Sequence, residues 1–538
     1  MKKRKYRYLF IIASILILFF TSCSVKTVND QHLVAALENG VTTLDPGFLS
    51  RLNDQYIACN LWEGLVRKNT NNIIEPGMAE NWQISKDGLK YVFHLRKNAK
   101  WSDGKPVTSD QFEYAWKRAL DPKVESAVAF MMYFLKNGEA YHENKAKISD
   151  VGVKALNKST LEVTLEKPTP FFLEVLNYHT YYPLRPDIIK KNPDSWFEET
   201  HMLVSNGPFH VEKLDENKEI NIVKNPYYWD ANNVKLDSVS FQIGKTEEGD
   251  AIWKKYTNNE IDFGYAFPED KNFDLANEIA TKKNNVISQN SLATFYLCFN
   301  QNKTPFNNIK VRQAFEMALN RKGYVEYRKK SEKVATGFVP SGIPDAKPGS
   351  DFRKIGGEFF NISYSEDNLI QAKKLLSENG YHNIKDFPAI TILVNSQCDI
   401  EYIKNEWEKN LGVNIEVDLC QGRLFNQKRE DGNYDILLNN WIADVADPVN
   451  FLGFLAEEKS SKNVFPSGYY SLVKESYSIS DNSTRMTVLH KAEKVLMESY
   501  TLIPLFFRND VYYIKPNIKN YLKTPLAEIY FRNAYIEN

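Results

Sequence analysis

At 538 residues, and at roughly 100 to 200 residues per domain, the chain is long enough for about three domains. With 43% hydrophobic and 25% charged residues it holds too much apolar material for a disordered chain. Lys+Arg and Asp+Glu number 68 each, which argues against the basic excess of a nucleic-acid binder.

Lys2, Lys3, Arg4, Lys5 and Arg7 form an acid-free cationic start, followed by an apolar run from Leu9 to Phe20. A bilayer-spanning helix needs roughly 20 apolar residues. This run is shorter and reads as the core of a signal peptide over residues 1–22. Its removal leaves a mildly acidic remainder. Thr21-Ser22-Cys23 follows, and small residues directly before a cysteine resemble a bacterial lipobox. That resemblance implies cleavage before Cys23 and lipidation of its thiol, although Phe20 stands where Leu is usual. The alternative is an ordinary signal with an incidental cysteine. Residues 23–31 read as a polar tether.

Farther along, Leu89, Tyr91, Phe93 and Leu95 alternate with polar residues, the period of a half-buried strand. Asp87-Gly88 supplies a hairpin turn ahead of it, and Trp101 to Gly104 forms a second turn. Thr108 and Gln111 have the spacing of a capping box for a helix carrying Phe112, Tyr114, Ala115 and Trp116. Leu161, Val163 and Leu165 repeat the strand period. Val311, Ala314, Phe315, Ala318 and Leu319 make one helical face, with Asn308 placed to cap it. Ala372, Leu375 and Leu376 make another, with Gly380 placed to end it. Strands and helices alternate without a fixed repeat, so the chain reads as α/β in several domains.

Catalytic signatures are missing from the sequence. It has no G-x-x-x-x-G-K-[ST], no H-E-x-x-H and no G-x-S-x-G. Its eight histidines are scattered, so neither a metal site nor a cofactor is expected. Acidic pairs such as Glu198-Glu199 read as solvated surface. Cys59, Cys298, Cys398 and Cys420 form no CxxC and read as buried free thiols. The 9 Trp, 30 Tyr and 32 Phe serve cores first, but rings also line clefts that hold organic ligands.

The stretch from Ala79 to Pro122, AENWQISKDGLKYVFHLRKNAKWSDGKPVTSDQFEYAWKRALDP, is similar to the diagnostic segment of the family-5 extracellular solute-binding proteins, which include oligopeptide, dipeptide and nickel receptors. Five further segments resemble the family's pattern in order. They are Ser205 to Phe209, Asn225 to Trp229, Thr304 to Arg321, Tyr434 to Pro448, and Ile503 to Pro516. The resemblance implies an α/β, two-lobed periplasmic-binding-protein (Venus flytrap) fold with an additional domain. Domain I would combine residues 32–62, 190–290 and 509–538. Domain II would be 63–189 and domain III 291–508. Two strands would cross between lobes, near Ser291 to Phe295 and near Phe506 to Asp510.

By the same resemblance, the function is an extracytoplasmic receptor that binds oligopeptides in the interlobe cleft. It would act as a monomer on a Gram-positive cell membrane and deliver its ligand to an ABC permease of two membrane subunits and two ATPases on separate chains. Asp444 would pair with the ligand's α-ammonium, since a water-poor cleft strengthens a charge-assisted bond. Trp441 would line a side-chain pocket. The backbones of Asn440 and Ile442 would bond the peptide as a strand does, with Leu52 on the opposite edge. Tyr296 and Cys298 would share a face of the strand entering domain III. Arg508 would meet a ligand carboxylate or lie on the surface, and Asp447 would be structural. Ser50, Cys298 and Leu438 replace charged residues of well-known oligopeptide receptors, and Ser126-Ala127-Val128 replaces their Ser-Pro-Tyr. The pocket walls therefore differ from theirs. Other readings are the same fold with another solute (a dipeptide, signalling peptide, nickel chelate, haem or sugar), a peptide sensor, and an extracellular hydrolase, for which no nucleophile–base constellation is present.

Overall fold

The structure is a computed structural model that describes residues 31–245, 249–265, 267, 273–347, 349–395, 400–457 and 464–537. Cys23 and Cys398 lie outside these residues.

A long mixed sheet organises the molecule. Its strands run in the order Ile415–Leu419, Ile390–Val394, Ile436–Ile442, Val286–Phe299, Leu502–Ile514, Phe263–Gly264, His32–Glu38, Ser238–Gly244, Glu219–Lys224 and Phe209–Asp215. The two central strands are the longest, at 14 and 13 residues, and run antiparallel. Their outer ends pair with strands of different lobes: Phe263–Gly264 on one side, Ile436–Ile442 on the other. Between them, regular pairing breaks off at Asn290 and resumes at Thr294, opposite Asn509 and Phe507. An irregularity of this kind bends a ladder locally. It lies inside the two passages expected between the lobes.

The first lobe also contains a separate antiparallel sheet of four strands, Ala79–Ile84, Lys90–Leu95, Thr160–Thr164 and Val153–Asn157. The expected local features are present. Gly88 turns the first hairpin at φ 70°, with its N–H donating to the Ser85 carbonyl. Tyr91, Phe93 and Leu95 are buried, as are Leu161, Val163 and Leu165. The helix Ser109–Leu120 starts at Thr108, whose backbone N–H donates to Gln111 Oε1 at 2.8 Å, and its Phe112, Ala115 and Trp116 are buried against this sheet's core. Asn308 caps the helix Ile309–Met317 through Lys310 N–H, and Gly380, at φ 102°, follows the helix Glu366–Glu378.

Several of the sequence signatures hold this lobe together. Gly207 N–H donates to the Leu61 carbonyl at 2.8 Å, and Asn206 both donates to and accepts from the backbone of Glu63. Glu63, itself buried, accepts from Tyr228 and from Trp229 Nε1. Arg96 stacks on the Trp229 ring at 3.7 Å. Buried polar groups must find partners, and here they find them where the chain leaves the helix Leu52–Leu61. Cys59, Cys298 and Cys420 are buried and form no disulfide among the described residues.

The cores divide with the lobes. One large cluster runs from Leu33 to Phe263 and returns through Tyr512 to Ala534. Two others lie along the sheet of the second lobe, around Tyr296 and around Leu297. Among the described residues, the first cluster takes one member from between 264 and 511, namely Val445. The loop after Ile442 therefore reaches across and anchors in the opposite lobe.

Candidate functional site

The strand Ile436–Ile442 is paired along its whole length on one edge, with Val286–Phe299. On the other edge the strand Ile390–Val394 pairs only with Ile436 and Leu437. From Leu438 to Ile442 that edge has no strand partner among the described residues. Unpaired edge groups are a template for an added strand. Asn440 and Ile442 lie on it, and Ile442 is exposed despite its apolar side chain.

The loop beyond this edge is tied down by one side chain. Asn450 Oδ1 accepts from Trp441 Nε1 and from Asp444 N–H, both at 3.1 Å. Trp441 also stacks on Phe454, with ring centres 3.6 Å apart. The two aspartates of the loop then differ sharply. Asp447 is buried, forms a two-pronged pair with Arg485, and accepts from Val449 N–H at 2.9 Å. It is structural. Asp444 has no cation or hydrogen-bond donor on its carboxylate among the described residues. Burial alone pushes its carboxyl up to about 6 from the ordinary 3.8. The Tyr178 phenol of the first lobe is raised by its own burial and, in addition, by the Asp444 charge. An uncompensated carboxylate thus sits between the lobes.

Asp444 and Trp441 line one cavity of about 400 Å³. Its walls come from both lobes: Phe130, Phe134 and Phe171 from the first, Phe454 and Tyr477 from the second. Arg485, already neutralised by Asp447, lies 4.8 Å above the Phe171 ring and joins the lobes at its floor. Leu52 and Arg508 line a second cavity, of about 510 Å³, beside the strand Leu502–Ile514. Leu52 opens its helix and is 39% exposed. The Arg508 side chain is 44% exposed and 3.7 Å from Asp510. Tyr296 and Cys298 do share a face, as period two requires, but that face is packed in a core, with Tyr296 edge-on to Phe338. Neither lines these two cavities.

The sequence expectations missed Asn450, Phe454 and the three phenylalanines of the first lobe. Asn450 and Phe454 follow Asp447-Pro448 on the helix Pro448–Glu457, so their proximity was open to inference. The phenylalanines are some 300 residues distant in sequence and carry no local signal.

No helix among the described residues is long and apolar enough to cross a membrane. Residues 74–463 match the bacterial extracellular solute-binding proteins, family 5 middle region. The chain is 34% identical to the dipeptide-binding protein DppE of Bacillus subtilis, over 94% of this chain and 92% of that one. It is 30% identical to the periplasmic oligopeptide-binding protein OppA of Salmonella typhimurium, over 95% and 94%. The unliganded open form of the murein tripeptide-binding protein MppA superposes with a TM-score of 0.80 at 28% identity, covering 95% of this chain and 98% of that one. A second structure of MppA, from Escherichia coli, gives 0.73. Two lobes joined by two long strands, an uncompensated carboxylate in the cleft and a match over most of the sequence lead to one statement: this chain belongs to the family-5 bacterial extracellular solute-binding proteins.

Proposed function

We propose that the protein is an extracytoplasmic receptor that captures peptides by their free amino end and hands them to an ABC-type importer. The observation that carries this reading is the Asp444 carboxylate, which lies between the lobes without a partner among the described residues, at the end of the open edge Leu438–Ile442. A peptide offers the matching parts: one fixed cation, then a backbone that can extend the sheet whatever its side chains are. An ammonium bonded to a water-excluded carboxylate is stronger than a neutral hydrogen bond. The names of the relatives, dipeptide-, oligopeptide- and murein tripeptide-binding, agree with such a ligand.

The domain limits given from the sequence, the roles of Asn440, Ile442 and Leu52 as backbone partners, and a cleft role for Arg508 belong to the same proposal. So do lipid anchoring through Cys23 on a Gram-positive membrane and a separate permease with two membrane subunits and two ATPases. The protein binds its ligand and does not transform it.

Free peptides and their N-acetylated counterparts should separate in a titration followed by tryptophan fluorescence. The free forms bind, the acetylated forms do not, and bound peptide is recovered intact by mass spectrometry. Equal binding of both forms would remove the role given to Asp444.

A further inference from the structure

We propose that the cavity holding Asp444 also selects the ligand's first side chain, admitting an aromatic or large aliphatic group and rejecting an acidic one. This deepens the peptide-binding reading and rests on it. The α-ammonium and the first side chain branch from the same Cα atom. Anchoring one at Asp444 therefore puts the other in the same enclosure, whereas the next side chain of an extended peptide points the opposite way. The cavity measures about 400 Å³. This is near the lower end of the roughly 300–1,000 Å³ typical of small-molecule sites, and it suits one terminal residue better than a whole peptide.

Its walls define the chemistry. Trp441 and Phe454 form a stacked slab, and Phe134 and Phe171 meet edge-to-face at 5.8 Å on the opposite lobe. At the rim, Phe130 is 46% exposed, an apolar ring left open to water. A ring or branched aliphatic chain from the ligand would cover these surfaces, and faces and edges of this kind favour another ring.

The charges at the rim act in the same direction. Glu139 and Glu166 join Asp444 in the lining. The cations are Lys167, whose ammonium lies 5.4 Å from the Tyr477 ring centre, and Arg485, which is already paired with Asp447. The balance is negative, so a ligand carboxylate at this position meets like charge in a partly desolvated space.

The test uses ligand-free protein and an equimolar random-sequence mixture of short peptides, with the first residue of the captured fraction read by sequencing. Phe, Tyr, Trp and Leu should be enriched there by about ten-fold over Gly, and Asp and Glu should be depleted. Phe130→Ala, at a half-exposed site, should lower the aromatic enrichment at the first position relative to Gly. A flat first position, or one rich in acids, would overturn this inference and leave the peptide-binding reading intact. No capture of free peptide, or equal capture of an N-acetylated mixture, would overturn both. If Phe130→Ala fails to fold, the selection by the unaltered protein still decides.

Discussion

Asp444 and Asp447 are three positions apart, yet among the described residues only the Asp447 carboxylate has partners, and their substitutions should behave in opposite ways. Removing the Asp447 carboxylate as Asp447→Ala leaves Arg485 buried without its counter-charge, a change that typically costs about 3–5 kcal/mol. Denaturant unfolding should show that loss with or without ligand. Asp444→Asn should instead weaken the binding of a free-amino peptide by about 1.5–3 kcal/mol. It should also stabilise the empty protein at neutral pH. The folded carboxyl titrates at about 6, above its unfolded value of 3.8. The native contribution is therefore intact below the unfolded value and is lost as pH rises through the folded one. Asparagine escapes that loss, a gain of up to about 3 kcal/mol at pH 7 and none near pH 3.5. Binding carries the same signature. Peptide affinity should decline above about pH 8, where the peptide's own α-ammonium loses its proton, and on the acid side fall roughly ten-fold per pH unit below about 6, as protonation removes the acceptor. Calorimetry at pH 5 should detect a proton released on binding, and in Asp444→Asn the acid-side fall and the proton release should both vanish.

At the scale of elements, the turn Ser205–Phe209 shows how a family signature can be structural. A Cβ on Gly207 would lie 2.6 Å from the Leu61 carbonyl oxygen, which is backbone and cannot swing away. Gly207→Ala should therefore cost about 1–3 kcal/mol, the usual penalty of overpacking. Gly468 is the control. It lies in the helix Ser467–Ser476 and its Cβ would meet nothing nearer than Val495 Cγ1 at 4.0 Å. Gly468→Ala should be neutral or stabilise by about 0.4–1 kcal/mol. Urea unfolding of the two variants, compared in midpoint, checks the contrast. Three of the six segments that carry the family resemblance, Ala79 to Pro122, Ser205 to Phe209 and Asn225 to Trp229, lie in the first lobe and outside the cavity that contains Asp444.

At the scale of the molecule, the interrupted pairing between the two crossing strands should be where the lobes turn. Outside it the ladder between the two strands carries one further irregularity, between Phe295 and Tyr296. Hinge residues are a few positions at the ends of elements that absorb the backbone change. Peptide binding should bring the lobes together, seen as a smaller radius of gyration in solution scattering and a change in tryptophan emission. Peptide at about a hundred times its Kd should raise folding stability by about 2.7 kcal/mol. Unchanged scattering with saturating peptide would leave the interruption without a hinge role.

The helices and strands near Tyr91, Phe112 and Val311 were legible in the chain because periodicity, caps and turns act over a few residues. The ordered motifs likewise made the family recognisable, and with it the two-lobed plan. The cleft was another matter. The sequence set Asp444 apart from Asp447 only through the family resemblance and the adjacent Pro448. The difference lies in Arg485, which reaches one and not the other, and in the phenylalanines brought from the far lobe. Tyr296 and Cys298 show the same limit, since alternation correctly put them on one face but could not say that this face is core. Which groups are buried, and which of those are left without a partner, depends on contacts between distant segments, and only the folded arrangement supplies them.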